Sequence, residues 1–260
     1  MPFQKIAFVQ IEEFNDKNFQ IVKCITQKLK AELFIFLLKI EAGILTKIEK
    51  ELRDEKISYQ IKTFDEIKSL KSHIQEVNPD IVILTEEKIN PLKHIFTHTP
   101  AEKLLKHVEN YNIILLQENE NNIQKALIYV TKDSTEFYIK ISYEFINQII
   151  GKVTFVYSFY EDFYELTIRK THTEEEAEEI LEAMFDEKKK EISQKIKNAI
   201  DDKPYKLVTI LGEPKKDINL FAKSKGYNFV IISSTVEDKK SFIENLQISL
   251  GILLDKKEEG

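Results

Sequence analysis

An α/β fold, with two open parallel sheets in tandem, is the class this sequence predicts, and three observations predict it. Short runs of Val, Ile, Leu and Phe alternate with segments whose apolar residues recur every three or four positions, the signature of buried strands joined by covering helices. One stretch, Tyr205–Thr235, carries the whole unit. It holds the run Lys206–Leu211, the turn Gly212-Glu213-Pro214, a helical stripe of Ile218, Phe221 and Ala222, a Gly226 C-cap and the run Phe229–Ile232. Strand, helix and strand on such short links form a right-handed crossover between parallel strands. Finally, the pattern restarts halfway along the chain: Lys125–Val130 repeats Lys5–Gln10, and Asn228–Ile232 repeats Asp80–Leu84.

In order, Lys5–Val9 reads as a buried strand, and Asn15 or Asp16 caps a helix with Phe19, Val22, Ile25 and Leu29 on one face. Leu33–Leu38 is the second strand. A charged helix, Ile44–Lys56, leads to a third strand, Ile57–Ile61, and a helix follows around Ile67, Leu70 and Ile74. Pro79-Asp80 ends that helix before the fourth strand, Ile81–Leu84. A polar loop with Pro91 and Pro100, a helix over Ala101–Glu109 and a fifth strand, Ile113–Leu116, complete the first half.

Residues 117–122 are polar and aperiodic, which makes them the boundary between a domain over residues 1–120 and a second over 124–260. Asp133, Ser134, Thr135 and Glu136 open a helix carrying Phe137, Ile141 and Phe145, and Lys152–Phe159 is the second strand of this half. A long helical insertion follows over about residues 171–202. Thr173-x-x-Glu176 is its capping box, and Ala177, Ile180, Leu181, Met184, Ile192, Ile196 and Ile200 keep helical spacing. Packed against the sheet, it has a solvated outer face; a protruding arm that docks a partner is the alternative. Ile113–Leu116 and Leu250–Leu254 end their halves as apolar strands that need covering, by each other or by a second molecule.

Composition narrows the function classes. The net charge of −6 does not favour nucleic acid or an anionic membrane, and 32% charged residues make a well-solvated surface. A lone cysteine, Cys24, excludes an internal disulfide and a cysteine-rich zinc site and fits a reducing cytoplasm. Met1–Phe14 lacks a basic start followed by a sustained apolar core, and the most apolar run, Leu33–Leu38, falls far short of the roughly 20 residues a bilayer needs. A cytoplasmic protein is expected.

The layout strand–Gly-Glu-Pro–helix–Phe-Val-Ile-Ile-Ser, with Ala101–His107 followed by Asn112–Leu116 in the first half, resembles the universal stress protein family. The resemblance covers nearly the whole chain and implies tandem Rossmann-like domains, each an open five-stranded parallel sheet of order 3-2-1-4-5, meeting as an intramolecular pseudo-dimer. It implies a stress-response protein that is not an enzyme and that binds a protein or small-molecule partner, and it leaves a further homodimer open.

In ATP-binding members of that family the fourth strand is followed by Gly, two residues, Gly, nine residues, then Gly and Ser or Thr. Glycines let backbone N–H groups approach a triphosphate, and the next helix N-terminus adds positive potential. Both halves of this chain depart from the pattern. Thr85-Glu86-Glu87-Lys88 follows Leu84, no glycine lies between Gly43 and Gly151, and His98-Thr99 stands where the family has Gly-Ser. Ser233-Ser234-Thr235 follows Ile232, with no glycine between Gly226 and Gly251. The family's acidic residue at the end of the first strand falls on Gln10, and in the second half on Thr131 or Asp133. The expectation is therefore no cofactor. A vestigial nucleotide site, with weak ATP binding or slow hydrolysis by the second half alone, is the alternative; Asp133, Ser233, Ser234, Thr235 and Lys239 would form it. Against it, Ser-Ser-Thr followed by Asp238 is also a plain loop and helix cap.

Other constellations are weaker. His94 and His98 stand four apart, but Pro91 and Pro100 break a helix there and no third ligand is near, so no metal site is expected. His73, His107 and His172 lie among charged residues and read as solvated, and Cys24, beside Ile21 and Ile25, reads as a small core filler. Walker A, GxSxG and HExxH motifs are absent. Glu12-Glu13 and Asp65 resemble the acidic set of a receiver domain, but the lysine such a site needs after the fifth strand is replaced by Gln117-Glu118.

Overall fold

Alternation along each strand decides the architecture. In the computed structural model, which describes residues 3–40, 43–86, 110–160, 168–237, 239, 242–243 and 247–255, Ile6 and Phe8 enter one hydrophobic cluster while Ala7 and Val9 enter another. Leu33, Ile35 and Leu37 divide from Phe34, Phe36 and Leu38 in the same way, as do Phe229 and Ile231 from Val230 and Ile232. Successive side chains of a strand point to opposite faces, so a run apolar at every position needs a hydrophobic layer on both.

The described elements are β1 (Lys5–Ile11), α1 (Asp16–Leu29), β2 (Glu32–Leu38), α2 (Gly43–Asp54), β3 (Tyr59–Phe64), α3 (Ile67–Val77), β4 (Ile81–Glu86) and β5 (Asn112–Gln117). They continue with β6 (Ala126–Val130), α4 (Glu136–Ile149), β7 (Thr154–Phe159), α5 (Glu174–Ile200), β8 (Lys206–Leu211), α6 (Pro214–Lys225), β9 (Phe229–Ser233) and β10 (Ser249–Leu253). The sheet is one of ten strands, in the order β3-β2-β1-β4-β5-β10-β9-β6-β7-β8. Neighbours are parallel except at β5 and β10, which run antiparallel with Leu250 opposite Leu115, Gly251 opposite Ile114 and Ile252 opposite Ile113. The two apolar strands that needed covering thus cover each other, and this pairing is why the sheet has ten strands rather than five.

Helices α1, α2, α4 and α5 supply one layer, through residues such as Phe19, Leu52, Phe145 and Ile196. Leu70 and Ile74 of α3 and Ile218 and Ala222 of α6 supply the other. The layers cross the middle of the sheet. Phe3 meets Phe145 edge-on at 5.4 Å, and Lys28 Nζ donates to the Ile149 carbonyl at the end of α4.

Local chemistry sets the helix ends. Asn15 caps α1 by accepting from Asn18 N, and Thr135 caps α4 by accepting from Tyr138 N. Thr173 and Glu176 form the reciprocal capping box of α5, and Gly226 ends α6 at φ 70°. Along its length α5 is packed: Ala177 and Ile196 are buried, and the Phe185 ring meets Phe159 edge-on at 5.6 Å. The protruding arm is not what the chain builds.

Three expectations need correction. The third strand begins at Tyr59, not Ile57, because Lys56 (φ 56°) caps α2 in the left-handed conformation and Ile57 N returns to the Leu52 carbonyl. Cys24 is exposed, since it lies two residues, about 200°, beyond the buried Val22. Lys23 takes the inward place instead, with Nζ 2.8 Å from Glu51 Oε2 and 2.5 Å from Glu55 Oε1. His73 is half-buried, its ring against Phe36 and Phe64 and its Nδ1 2.9 Å from Glu76. His172 is exposed, as expected. Pro91, His94, His98, Thr99 and the expected helix Ala101–Glu109, His107 included, lie outside the described residues.

Candidate functional site

In an open α/β sheet, ligands bind beyond the carboxyl ends of the strands, where the strand order reverses. This sheet has such points between β1 and β4 and between β6 and β9. Side chains bridge both.

Between β1 and β4 the bridge is Gln10, which is buried. Its Nε2 donates to Thr85 Oγ1 at 2.6 Å and its Oε1 accepts from Asn15 N at 2.8 Å, tying the two strand ends to the start of α1. A carboxylate at this place could not donate to Thr85; the amide both donates and accepts. Asn15 Nδ2 donates to the Glu118 carbonyl and Asn18 Nδ2 to that of Gln117, so the connection out of β5 is fastened over the same helix start. Glu86 closes β4.

Between β6 and β9 the bridge is Tyr138, fully buried one turn into α4, whose hydroxyl donates to the carbonyls of Tyr129 at 2.9 Å and Ile231 at 3.3 Å. Burial holds this phenol well above the usual tyrosine range, with the Asp255 and Tyr129 charges adding to the effect. Tyr129 is raised too, by burial first and then by Tyr157.

Beside Tyr138 lies the set of residues singled out in the sequence, assembled around a group the sequence did not mark. Ser233 Oγ, at the end of β9, donates to Asp255 Oδ2 at 2.9 Å, and Thr235 Oγ1 donates to the same oxygen at 3.2 Å. The two hydroxyls are also 2.7 Å from each other, so two protons serve three contacts. Thr135 Oγ1 donates to Asp255 Oδ1, and Thr135 N reaches Oδ2 at 3.4 Å. Ser234 Oγ accepts from Asp255 N at 2.9 Å, and Ser234 N donates to the Leu253 carbonyl at 2.8 Å. Asp255 is 8% exposed. A carboxylate only accepts, and every group aimed at its oxygens can donate.

Ser233, Ser234 and Thr235 are therefore brought together, and around an internal carboxylate. Asp133 is exposed, its backbone N–H donating to Thr131 Oγ1, and it is Asp255 that meets the hydroxyls. Lys239 is half-buried and is not among the groups bonded to Asp255. Asp255 is 120 residues from Thr135, too far apart for any local motif to have revealed the pairing.

A cleft of about 400 Å³ at the ends of β1, β2 and β3 brings Glu12 and Asp65 together with Lys39, Glu66 and Lys68 over Ile11, Leu38 and Ile67. It is not a receiver site, because β1 pairs with β2 and β4, whereas a receiver sheet sets its first strand beside its third. No cluster among the described residues is arranged to hold a metal ion, and no helix among them is long and apolar enough to cross a membrane.

A parallel-dominated sheet covered on both faces by helices, with reversal points bridged at the carboxyl ends, defines an open α/β protein. Among solved structures its fold is that of the universal stress proteins. The chain is similar to a functionally unknown protein from Pseudomonas aeruginosa PAO1 and to a provisionally named universal stress protein from Pseudomonas aeruginosa UCBPP-PA14. Each matches with a TM-score of 0.71 and 12% identity over 97% of this chain and 93% of the other. A universal stress protein from Archaeoglobus fulgidus matches at a TM-score of 0.55 and 8% identity over 96% of this chain and 98% of its own. At these identities the likeness is one of fold. No family model matches the sequence, and no curated protein matches it significantly.

Proposed function

We propose that this chain is a cytoplasmic, non-enzymatic universal stress protein whose two halves, residues 1–120 and 124–260, form an intramolecular pseudo-dimer. It acts in stress response by binding a protein or small-molecule partner, without tight binding of ATP. The strand order supports the tandem reading: it runs 3-2-1-4-5 into the β5–β10 junction and repeats in reverse beyond it. The antiparallel β5–β10 pair then stands where a dimer of single-domain proteins would join.

One observation carries the lack of tight ATP binding. The hydroxyls of Ser233 and Thr235, which a nucleotide phosphate would need, are bonded to Asp255. A phosphate entering there would meet a carboxylate in place of the glycine N–H groups that normally cradle it. The test is direct: protein purified in its native state is denatured and the released small molecules are read by ultraviolet absorbance and mass spectrometry. The expected result is no stoichiometric nucleotide; one nucleotide per chain, or one per half, would overturn the reading.

A further inference from the structure

We propose that Asp255 is an internal occupant of an oxyanion cradle, and that its carboxylate keeps a phosphate-class anion out of the carboxyl end of the second half. Three hydroxyls and one backbone N–H converge on this single buried side chain from two places in the sequence, the α4 cap and the end of β9 with the turn after it, while the end of β10 supplies the carboxylate. Among the described residues no cation takes part. The carboxylate is held as an external anion would be, by oriented dipoles at the end of a sheet and the start of a 14-residue helix.

The occupant is carried on a short lever. Asp255 follows β10 directly, and β10 keeps its own place through its pairing with β5 and β9 and through Ser234 N bonding the Leu253 carbonyl. Among the described residues, the hydrogen bond from Asp255 N to Ser234 Oγ is what fixes the backbone of the residue itself. Truncating the side chain therefore empties the cradle and leaves the strand that lines it in register. Because the competitor is part of the chain, its effective concentration is of order millimolar or higher, and an external anion must exceed that before it binds.

This inference rests on the reading of a chain without tight nucleotide binding, and its test separates the two. Asp255→Ala and the unaltered protein are titrated with inorganic phosphate and, in a second arm, with ADP, by calorimetry. Far-ultraviolet circular dichroism establishes that both are folded. The expected result is phosphate affinity at least ~10-fold tighter in Asp255→Ala, abolished when Thr235→Val is added. A gain with phosphate alone indicates a site for the free anion, and a gain with ADP as well indicates one open to nucleotide phosphates; either supports the proposal. Should Asp255→Ala not fold, Asp255→Asn is titrated instead. A folded variant whose phosphate affinity stays within twofold of the unaltered protein overturns the internal-occupant role. The function proposed above would then stand, with Asp255 acting as a helix-cap tether alone.

Discussion

Gly251 offers a test in which two physical effects have opposite signs. It sits in the middle of β10, opposite Ile114 on one side and Ile231 on the other. A glycine inside a strand is weak, so replacing it with valine should add about 1 kcal/mol through strand preference. A further 0.4–1 kcal/mol or so should come from a less flexible unfolded chain. Packing opposes both. A Cβ at this position would lie 3.0 Å from Phe229 Cζ and 3.1 Å from Ile231 Cγ1, against ordinary carbon contacts of about 3.5–4.0 Å. Phe229 and Ile231 are both fully buried, and the Phe229 ring lies 6.5 Å from that of Phe145, so neither can step aside cheaply. Overpacking of this kind costs roughly 1–3 kcal/mol, and the two methyls of valine put the site at the upper end. Gly251→Val should therefore be destabilised by about 1–2 kcal/mol, which lowers Tm by ~2–8 °C at this chain length. Thermal melting followed by circular dichroism reads it. Adding Phe229→Leu should recover part of the loss, a coupling expected only if the two side chains compete for the same space. If Gly251→Val melts at or above the unaltered protein, the β5–β10 junction is looser than described and the argument fails.

Two more perturbations probe the core. Ile114→Lys sets an ammonium at a fully buried position in the same junction; losing the isoleucine costs about 2–5 kcal/mol and burying the charge several more. That sum approaches a typical total stability of ~5–15 kcal/mol, so the variant should be largely unfolded or change its solution mass; unchanged Tm and mass would remove β5 from the junction. The Lys23–Glu51–Glu55 cluster predicts a pH dependence. Lys23 is raised: burial lowers it, but the hydrogen bonds and charges of Glu51 and Glu55 outweigh that. Glu51 is lowered, chiefly by its hydrogen bond from Lys23. The Glu51 contribution is full above the ordinary glutamate value and fades as pH falls through the lowered one, while that of Lys23 is full below the ordinary lysine value and fades as pH rises through the raised one. Lys23→Met should thus lag by about 1 kcal/mol or less at pH 7, since both glutamates stay partly solvated, and match or exceed the unaltered protein near pH 3. Urea midpoints at both pH values decide it, and a deficit that persists at pH 3 would mean packing, not charge, holds the two helices together.

Much of the fold was legible because its signals are local. Asn15, the Thr173–Glu176 box and Gly226 act within one helical turn, and each stands where the sequence places it. The strands were legible because apolar runs of this length need two covered faces. Less visible were helix ends closed by lysine: Lys30 and Lys56 adopt positive φ, a conformation their side chains do not announce, whereas Asn78 and Asp201 belong to residue types that enter it more readily. Cys24 is exposed, and Lys23 takes the inward place, for a related reason. Helical spacing picks out a face, but which flank of that face a second helix covers depends on where α2 lands, and α2 with the residue that follows it brings Glu51 and Glu55 to the Lys23 side.

The candidate site was half legible, and the missing half changes its meaning. Hydroxyls in a row after an apolar strand signal a polar turn, and Ser233, Ser234 and Thr235 do meet there. What they turn toward is fixed only when β10 enters the sheet beside β9, because that pairing carries Asp255 to the end of Ser233's own strand. The same pairing lets β10 face β5, so one strand both joins the two halves of the sheet and delivers the carboxylate. Asp133, local to the first strand of its half, is the acidic residue a nucleotide site would use, yet it is exposed and Asp255 meets the hydroxyls instead. An acidic residue delivered by the last strand points the other way, to a cradle closed by the chain itself. Function at this site is therefore a property of strand order, and a reading of the turn alone could not have supplied its sign.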